Sequence, residues 1–223
     1  MNMLLPLRRK YLAGRCSSGP VREWLKADLP EKNQASNQVS FLAVDLEMTG
    51  LDPRQDSILS AGWVAVDSGR IALDTAQHML INDTAEVGQS AVIHQIRDVD
   101  LESGVGQQQV MEALLAASQG RVLVFHNASL DCRFLNRVWK QYFGIQLLAP
   151  VVDTLLLEKQ LLQRADTPIE QGALRLASCR ERYNLPEYAA HNALVDALAT
   201  AELLLSIMAR LDNCKLGRLL RAS

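Results

Sequence analysis

The sequence contains no stretch approaching the roughly 20 uninterrupted apolar residues of a membrane span. The short apolar start Met3-Leu4-Leu5 is cut off by Pro6 and the basic Arg8-Arg9-Lys10, which leaves no apolar centre for a secretory signal. Cysteine is scarce. Cys16, Cys132, Cys179 and Cys214 form no CxxC pair and no Cys/His spacing suited to zinc, so they read as reduced thiols of a cytoplasmic protein. Aromatic residues make up 5% of the chain, too few for an extended platform on which nucleic-acid bases stack. An excess of positive charge is missing as well, since the formal net charge is −2, which excludes a general basic binding surface.

What is present fits one sizeable α/β domain preceded by an arm: 223 residues, 48% hydrophobic and 22% charged. Charge is unevenly spread. Residues 1–40 carry seven Lys/Arg against three Asp/Glu, and the acidic excess lies in the rest. An acidic domain of this kind can recruit metal ions in order to meet a polyanion. The organisation expected is an N-terminal extension over 1–39, a main domain over 40–212 and a tail over 213–223. In the extension, Val21 to Leu29 suits one short helix with Trp24 and Leu25 packing inward, followed by a linker from Pro30 to Asn37. Arg8, Arg9, Lys10 and Arg15 are candidates for phosphate contact, with a solvated arm as the equal alternative.

From Ser40 the pattern alternates between strands and helices. Phe41 to Glu47 is a strand, Ile58 to Val66 a second and Arg70 to Ile81 a third, the last two joined by the turn Asp67-Ser68-Gly69 as an antiparallel hairpin. Ala91 to Ile96 is short and mixed. Val105 to Ser118 has helical spacing, and Val122 to Phe125 is a strand apolar on both faces, as in a parallel sheet. Ser129 is expected to cap a helix reaching about Tyr142. Val151-Val152 is a brief strand, and helices follow over Thr154 to Arg164, Glu170 to Tyr183, and from His191 or Asn192 to about Leu211. The sum is a mixed sheet with helices on both faces.

The chemistry gathers on acids. Asp45 and Glu47 lie two apart on a strand and so share a face. Two carboxylates at about 4 Å repel by roughly 4 kcal/mol at an effective dielectric of about 20. A fold tolerates this when the acids are solvated or a cation sits between them. Asp131 lies in the first turn of its helix, where the helix dipole alone could account for an acid. Asp196 lies on a largely apolar helix start, and an acid there needs a partner or a cation. Asp153 suits the start of a helix and is read as structural. Together Asp45, Glu47, Asp131 and Asp196 would carry a charge that two divalent cations neutralise, and magnesium suits oxygen ligands of this kind. His191, five residues before Asp196, can swing over the same site as a proton acceptor, because imidazole titrates nearest neutrality of all side chains. Such a constellation suits hydrolytic phosphoryl transfer.

The ordered segments Asp45-Leu46-Glu47-Met48-Thr49-Gly50, His126-Asn127-Ala128-Ser129-Leu130-Asp131 and His191-Asn192-Ala193-Leu194-Val195-Asp196 resemble the three motifs of DEDDh 3′–5′ exonucleases. This DnaQ-like group includes the proofreading subunit of the bacterial replicative polymerase. The resemblance covers about Ser40 to Leu211. It implies a ribonuclease-H-like fold, a five-stranded mixed β-sheet flanked by α-helices. It also implies two Mg²⁺ or Mn²⁺ ions held by Asp45, Glu47, Asp131 and Asp196, with His191 as general base. Met48, Thr49, Gly50 and Leu51 match the segment that holds the terminal nucleotide. Asn127, beside His126, is a further candidate for substrate contact. The implied reaction is stepwise release of nucleoside 5′-monophosphates from a single-stranded or frayed 3′ end. DNA is the favoured substrate, because HNASLD and HNALVDA look like the proofreading group. RNA-end trimming is the alternative, because DLEMTGLD is also close to oligoribonucleases. A nucleic-acid-binding scaffold is the alternative of another class, and the N-terminal extension keeps a protein partner in view.

Overall fold

Every element is arranged about one central strand, β1 (Phe41–Met48). The computed structural model describes residues 4–82, 103–189, 191–212 and 214–220. Strand β1 pairs antiparallel with β2 (Ile58–Asp67), which pairs antiparallel with β3 (Arg70–Leu80). On its other side β1 runs parallel to β4 (Val122–Phe125), and β4 runs parallel to β5 (Val151–Asp153). The resulting five-stranded mixed sheet has the order β3-β2-β1-β4-β5. The hairpin between β2 and β3 turns at Ser68 and Gly69, both left-handed with φ of 52° and 71°, the twist that joins two strands directly. The expected segment Ala91 to Ile96 lies outside the described residues, as does His94.

The strand pattern sorts the helices into two layers. Leu42, Val44 and Leu46 pack on one face with α3 (Gln107–Ala117) and α4 (Ala128–Phe143). Phe41 and Ala43, with Val64 and Val66 of β2, pack on the other face with α5 (Thr154–Arg164) and the long helix α7 (Ala193–Arg210). Between these two helices lies α6, which spans only Leu176–Glu181. The longer helix expected from Glu170 is broken by turns, with Gly172 at φ 85°.

The flanking segments join this core. Helices α1 (Leu5–Ala13) and α2 (Pro20–Lys26) bring Ala13, Trp24 and Leu25 into the α3–α4 layer. The Trp24 indole donates to Ser118 Oγ at 2.9 Å and tilts against Trp139, with ring centroids 6.0 Å apart. Arg9, a candidate for phosphate contact by sequence, is buried instead. Its guanidinium donates to the carbonyls of Leu148, at 2.7 Å, and Trp24, and it stacks on the Trp24 ring. Burial of a cation is tolerated here because these carbonyls and the indole face replace its water. The described part of the tail forms α8 (Leu216–Leu219), whose Leu216 and Leu219 are buried in the α7 layer. Backbone bonds from Leu216 N to Gln34 O and from Gly217 N to Lys32 O tie it to the segment before β1.

Candidate active site

Side chains alternate along β1, so Asp45 and Glu47 leave the sheet on the face of Phe41 and Ala43, toward α7. Helix α7 begins at Asn192, whose side-chain oxygen accepts from Leu194 N and Val195 N at 3.2 Å. One turn on, Asp196 meets the two strand acids, and oxygens of Asp45, Glu47 and Asp196 all lie within 4.8 Å of one another. Asp131 stands outside that tight set but faces it. It is buried in the first turn of α4, accepts a backbone hydrogen bond from Leu46, and its charge bears on both Asp45 and Glu47.

Burial pushes the Asp131 carboxyl up to about 8. Burial also holds Asp45 well above the usual carboxylate range, and the charges of Asp131, Glu47 and Asp196 add to the effect. Asp196 is raised by burial, opposed by a backbone N–H from His191 that donates to Oδ2 at 2.8 Å. Among the described residues, these three charges acting on Asp45 are all carboxylates. A set of converging oxygens under mutual repulsion suits a hard divalent cation.

His191 is exposed at the entrance to α7 with φ 69°, a left-handed conformation that turns its N–H onto Asp196. Around the end of β1, Ser57 N donates to Thr49 Oγ1 at 2.9 Å and Asp52 N donates to Asp56 Oδ2 at 2.8 Å. These bonds shape the loop that carries Thr49, Gly50 and Leu51. Any side chain at Gly50 would collide with the Asp56 carboxylate. Leu51 projects into solvent, 73% exposed, and Met48 is half-buried after a bulge between Glu47 and Met48.

Asn127, not Ser129, precedes α4, in a left-handed conformation with φ 76° and no capping bond from its own side chain. The cap comes from across the sheet. Asp153 accepts from Asn127 N at 3.1 Å and Ala128 N at 3.0 Å, and from Leu155 N at the start of α5 at 3.0 Å. One buried carboxylate thereby serves two helix starts, the structural part expected of it. His126 supports the same corner, its Nδ1 2.8 Å from Thr154 Oγ1 and its Nε2 2.9 Å from Leu174 O.

Three nearby residues escape a reading by motif. Gly62 pairs with Asp45 across the β1–β2 ladder, and a Cβ there would lie 2.2 Å from the Ala193 carbonyl carbon and Leu194 nitrogen. The start of α7 therefore rests directly on the strand backbone, the close approach that a glycine inside a strand signals. Ser60, paired with Glu47, is fully buried. His78 pairs with Gly62 from β3, close enough for the Glu47 charge to act on it, although burial holds its pKa low.

A family model described as Exonuclease (RNase T) matches residues 42–204. The chain belongs to this family of DnaQ-like 3′–5′ exonucleases. One relative, the DNA polymerase III subunit epsilon of Treponema pallidum, is 30% identical over 172 residues, covering 77% of this chain and 77% of its own. The PolC-type DNA polymerase III of Thermotoga petrophila is 32% identical over 182 residues, which cover 81% of this chain. The matched part is 13% of that relative's length. The solved Exonuclease X, in complex with 5′ overhanging duplex DNA, shares the fold with a TM-score of 0.61 and 22% identity. That match covers 82% of this chain and 98% of Exonuclease X.

The raised carboxyl groups lead to an expected pH dependence of the response to metal. A native carboxyl raised above its unfolded value binds protons that the unfolded chain has released. Stability in chelator is therefore lost as pH rises from the ordinary carboxylate range through about 8, the value for Asp131. Thermal melts in chelator should fall between about pH 6 and pH 8, and Mg²⁺ should raise the melting temperature more at the higher pH. An equal Mg²⁺ increment at both pH values would contradict the shared site.

Proposed function

We propose that this exonuclease removes nucleotides one at a time from single-stranded or frayed 3′ ends, DNA in preference to RNA, and releases nucleoside 5′-monophosphates. The observation that carries this is the convergence of Asp45, Glu47 and Asp196 oxygens within 4.8 Å, with Asp131 facing them. Two Mg²⁺ or Mn²⁺ ions are proposed to be held there. Asp45, Glu47 and Asp196 form the tight set, and Asp131 extends it past Asp45. Bound ions would polarise the attacking water and steady the departing 3′-oxygen. His191, at the exposed rim beside Asp196, takes the water's proton as general base. Leu51 offers an apolar contact to the terminal base, while Met48, Thr49, Gly50 and Asn127 line the approach to the strand end.

The preference for DNA draws on relatives that are DNA polymerase III proteins and on Exonuclease X with its bound DNA. RNA trimming stays as a second reading because of the DLEMTGLD segment. The scaffold reading is disfavoured by the four mutually repelling carboxylates, which binding alone does not need. The cytoplasm is proposed as the site of action, in keeping with four free cysteines. A protein partner is proposed to meet α1, which exposes Leu7 and Tyr11 beside Arg8 and Lys10.

The test uses DNA and RNA oligomers of one sequence, labelled at the 5′ end, with Mg²⁺, Mn²⁺ or chelator. A ladder shortening from the 3′ end with either ion, faster on DNA and absent in chelator, is expected. Cleavage that survives chelation, or that proceeds from the 5′ end, would overturn the proposal.

A further inference from the structure

Leu185, Pro186 and Tyr188, a few residues before His191, line a cavity of about 510 Å³ together with Asp196 and Ala199. Space beneath a loop means that packing alone does not fix its position. Polar anchors hold it instead. Arg180, buried on α6, donates to Pro186 O at 2.9 Å and to Glu202 Oε2 at 2.7 Å, both through Nη2. Its Nη1 donates to Ala199 O at 2.7 Å. Tyr188 OH donates to Glu202 Oε1 at 2.9 Å, and the Arg180 guanidinium lies 4.6 Å from the Tyr188 ring centroid. Both Ala199 and Glu202 belong to α7, the helix that carries Asp196, so the anchors tie the loop to the same rigid element as the acid.

We propose that Arg180, Glu202 and Tyr188 form a clamp that positions His191 over the reacting water. The proposal rests on the reading of His191 as general base. Tyr188 lies three residues before His191, and a link of that length spans at most about 10 Å, so the anchor on Tyr188 bounds where the histidine can go. The side-chain hydrogen bonds of Arg180, Glu202 and Tyr188 run among themselves and to the carbonyls of Pro186 and Ala199. They are positioning residues. Their part is to keep the imidazole at the distance and angle that proton transfer needs, where small misplacements are costly.

The readout is a double-mutant cycle between Tyr188→Phe and His191→Gln, with kcat, KM and the Mg²⁺-induced rise in Tm measured for each protein. Tyr188→Phe keeps the ring over Arg180 and removes only the hydroxyl bond, so it is the variant least at risk of misfolding. Glu202→Gln serves as the second variant. For Tyr188→Phe alone, kcat should fall by about five- to tenfold, the worth of one hydrogen bond, with KM and the Mg²⁺ increment unchanged. In the His191→Gln background the same change should cost nothing further. If the losses multiply, the tyrosine does not act through the histidine and the clamp is refuted, while the base assignment stands. If His191→Gln alone keeps the parental kcat, the base assignment fails and the clamp falls with it.

Discussion

Asp131→Asn is expected to give a protein that melts higher than the parent in chelator and hydrolyses almost nothing. The two effects have one cause. Asp131 is buried in the first turn of α4 with its pKa raised to about 8. At neutral pH the folded chain must therefore bind a proton that the unfolded chain has released, and above about pH 8 it must carry a charge that its surroundings disfavour. An asparagine keeps an oxygen for the Leu46 N–H and replaces the negative charge with an amide, which can donate toward the neighbouring carboxylates. Relief of part of that strain is worth about 2 kcal/mol, or roughly 4–8 °C in Tm for a chain of this size. Loss of one charge from the proposed metal site should remove several kcal/mol of transition-state stabilisation, about a thousandfold or more in kcat. The Mg²⁺-induced rise in Tm should shrink at the same time. Melting curves with and without Mg²⁺, alongside turnover on a 5′-labelled DNA oligomer, decide the matter. A variant that melts lower than the parent in chelator would show that the carboxylate is a structural support and not a strained ligand.

Gly62→Ala should have the next largest effect, although Gly62 has no side chain to offer chemistry. A methyl group at this position overlaps the backbone of Ala193 and Leu194, and neither can give way without moving the start of α7. A displacement of about 1 Å carries Asp196 and His191 away from Asp45 and Glu47 together, and shifts of that size cost about a hundredfold in rate. Overpacking adds about 1–3 kcal/mol of destabilisation. Far-UV circular dichroism should report a folded protein with a lowered Tm, while kcat falls and Mg²⁺ affinity weakens in parallel. Parental turnover in a folded Gly62→Ala protein would mean that the seat of α7 on β2 does not set the geometry of the acids.

Comparison of these two residues shows why part of the site could be read from the chain and part could not. Asp45 and Glu47 declare themselves because strand periodicity puts them on one face without reference to any other segment. Asp196 follows from an asparagine cap at Asn192 and a helix that any periodicity would find. The hairpin at Ser68-Gly69 is local in the same way. Gly62 differs, because the meaning of a missing side chain depends on what lies above it, and Ala193 is 131 positions away in sequence. The same limit explains α4. Ser129 is a sound cap by its neighbours alone, but the group that satisfies the free N–H atoms is Asp153, delivered by a different strand. It also explains Arg9, whose partners Leu148 and Trp24 come from two distant segments. The interrupted helix before Leu176 is a fourth case. Its apolar spacing suits a helix, but turns around Gly172, at φ 85°, break it.

The latch between residues 32–36 and 214–217 separates two boundaries that are easily taken for one. The family match runs from 42 to 204, but Trp24 on one side and Leu216, Leu219 and Leu220 on the other are part of the buried interior. Ancestry and cooperativity therefore have different edges in this molecule. A fragment trimmed to the ancestral span would keep every acid and leave bare the greasy underside on which the catalytic platform stands.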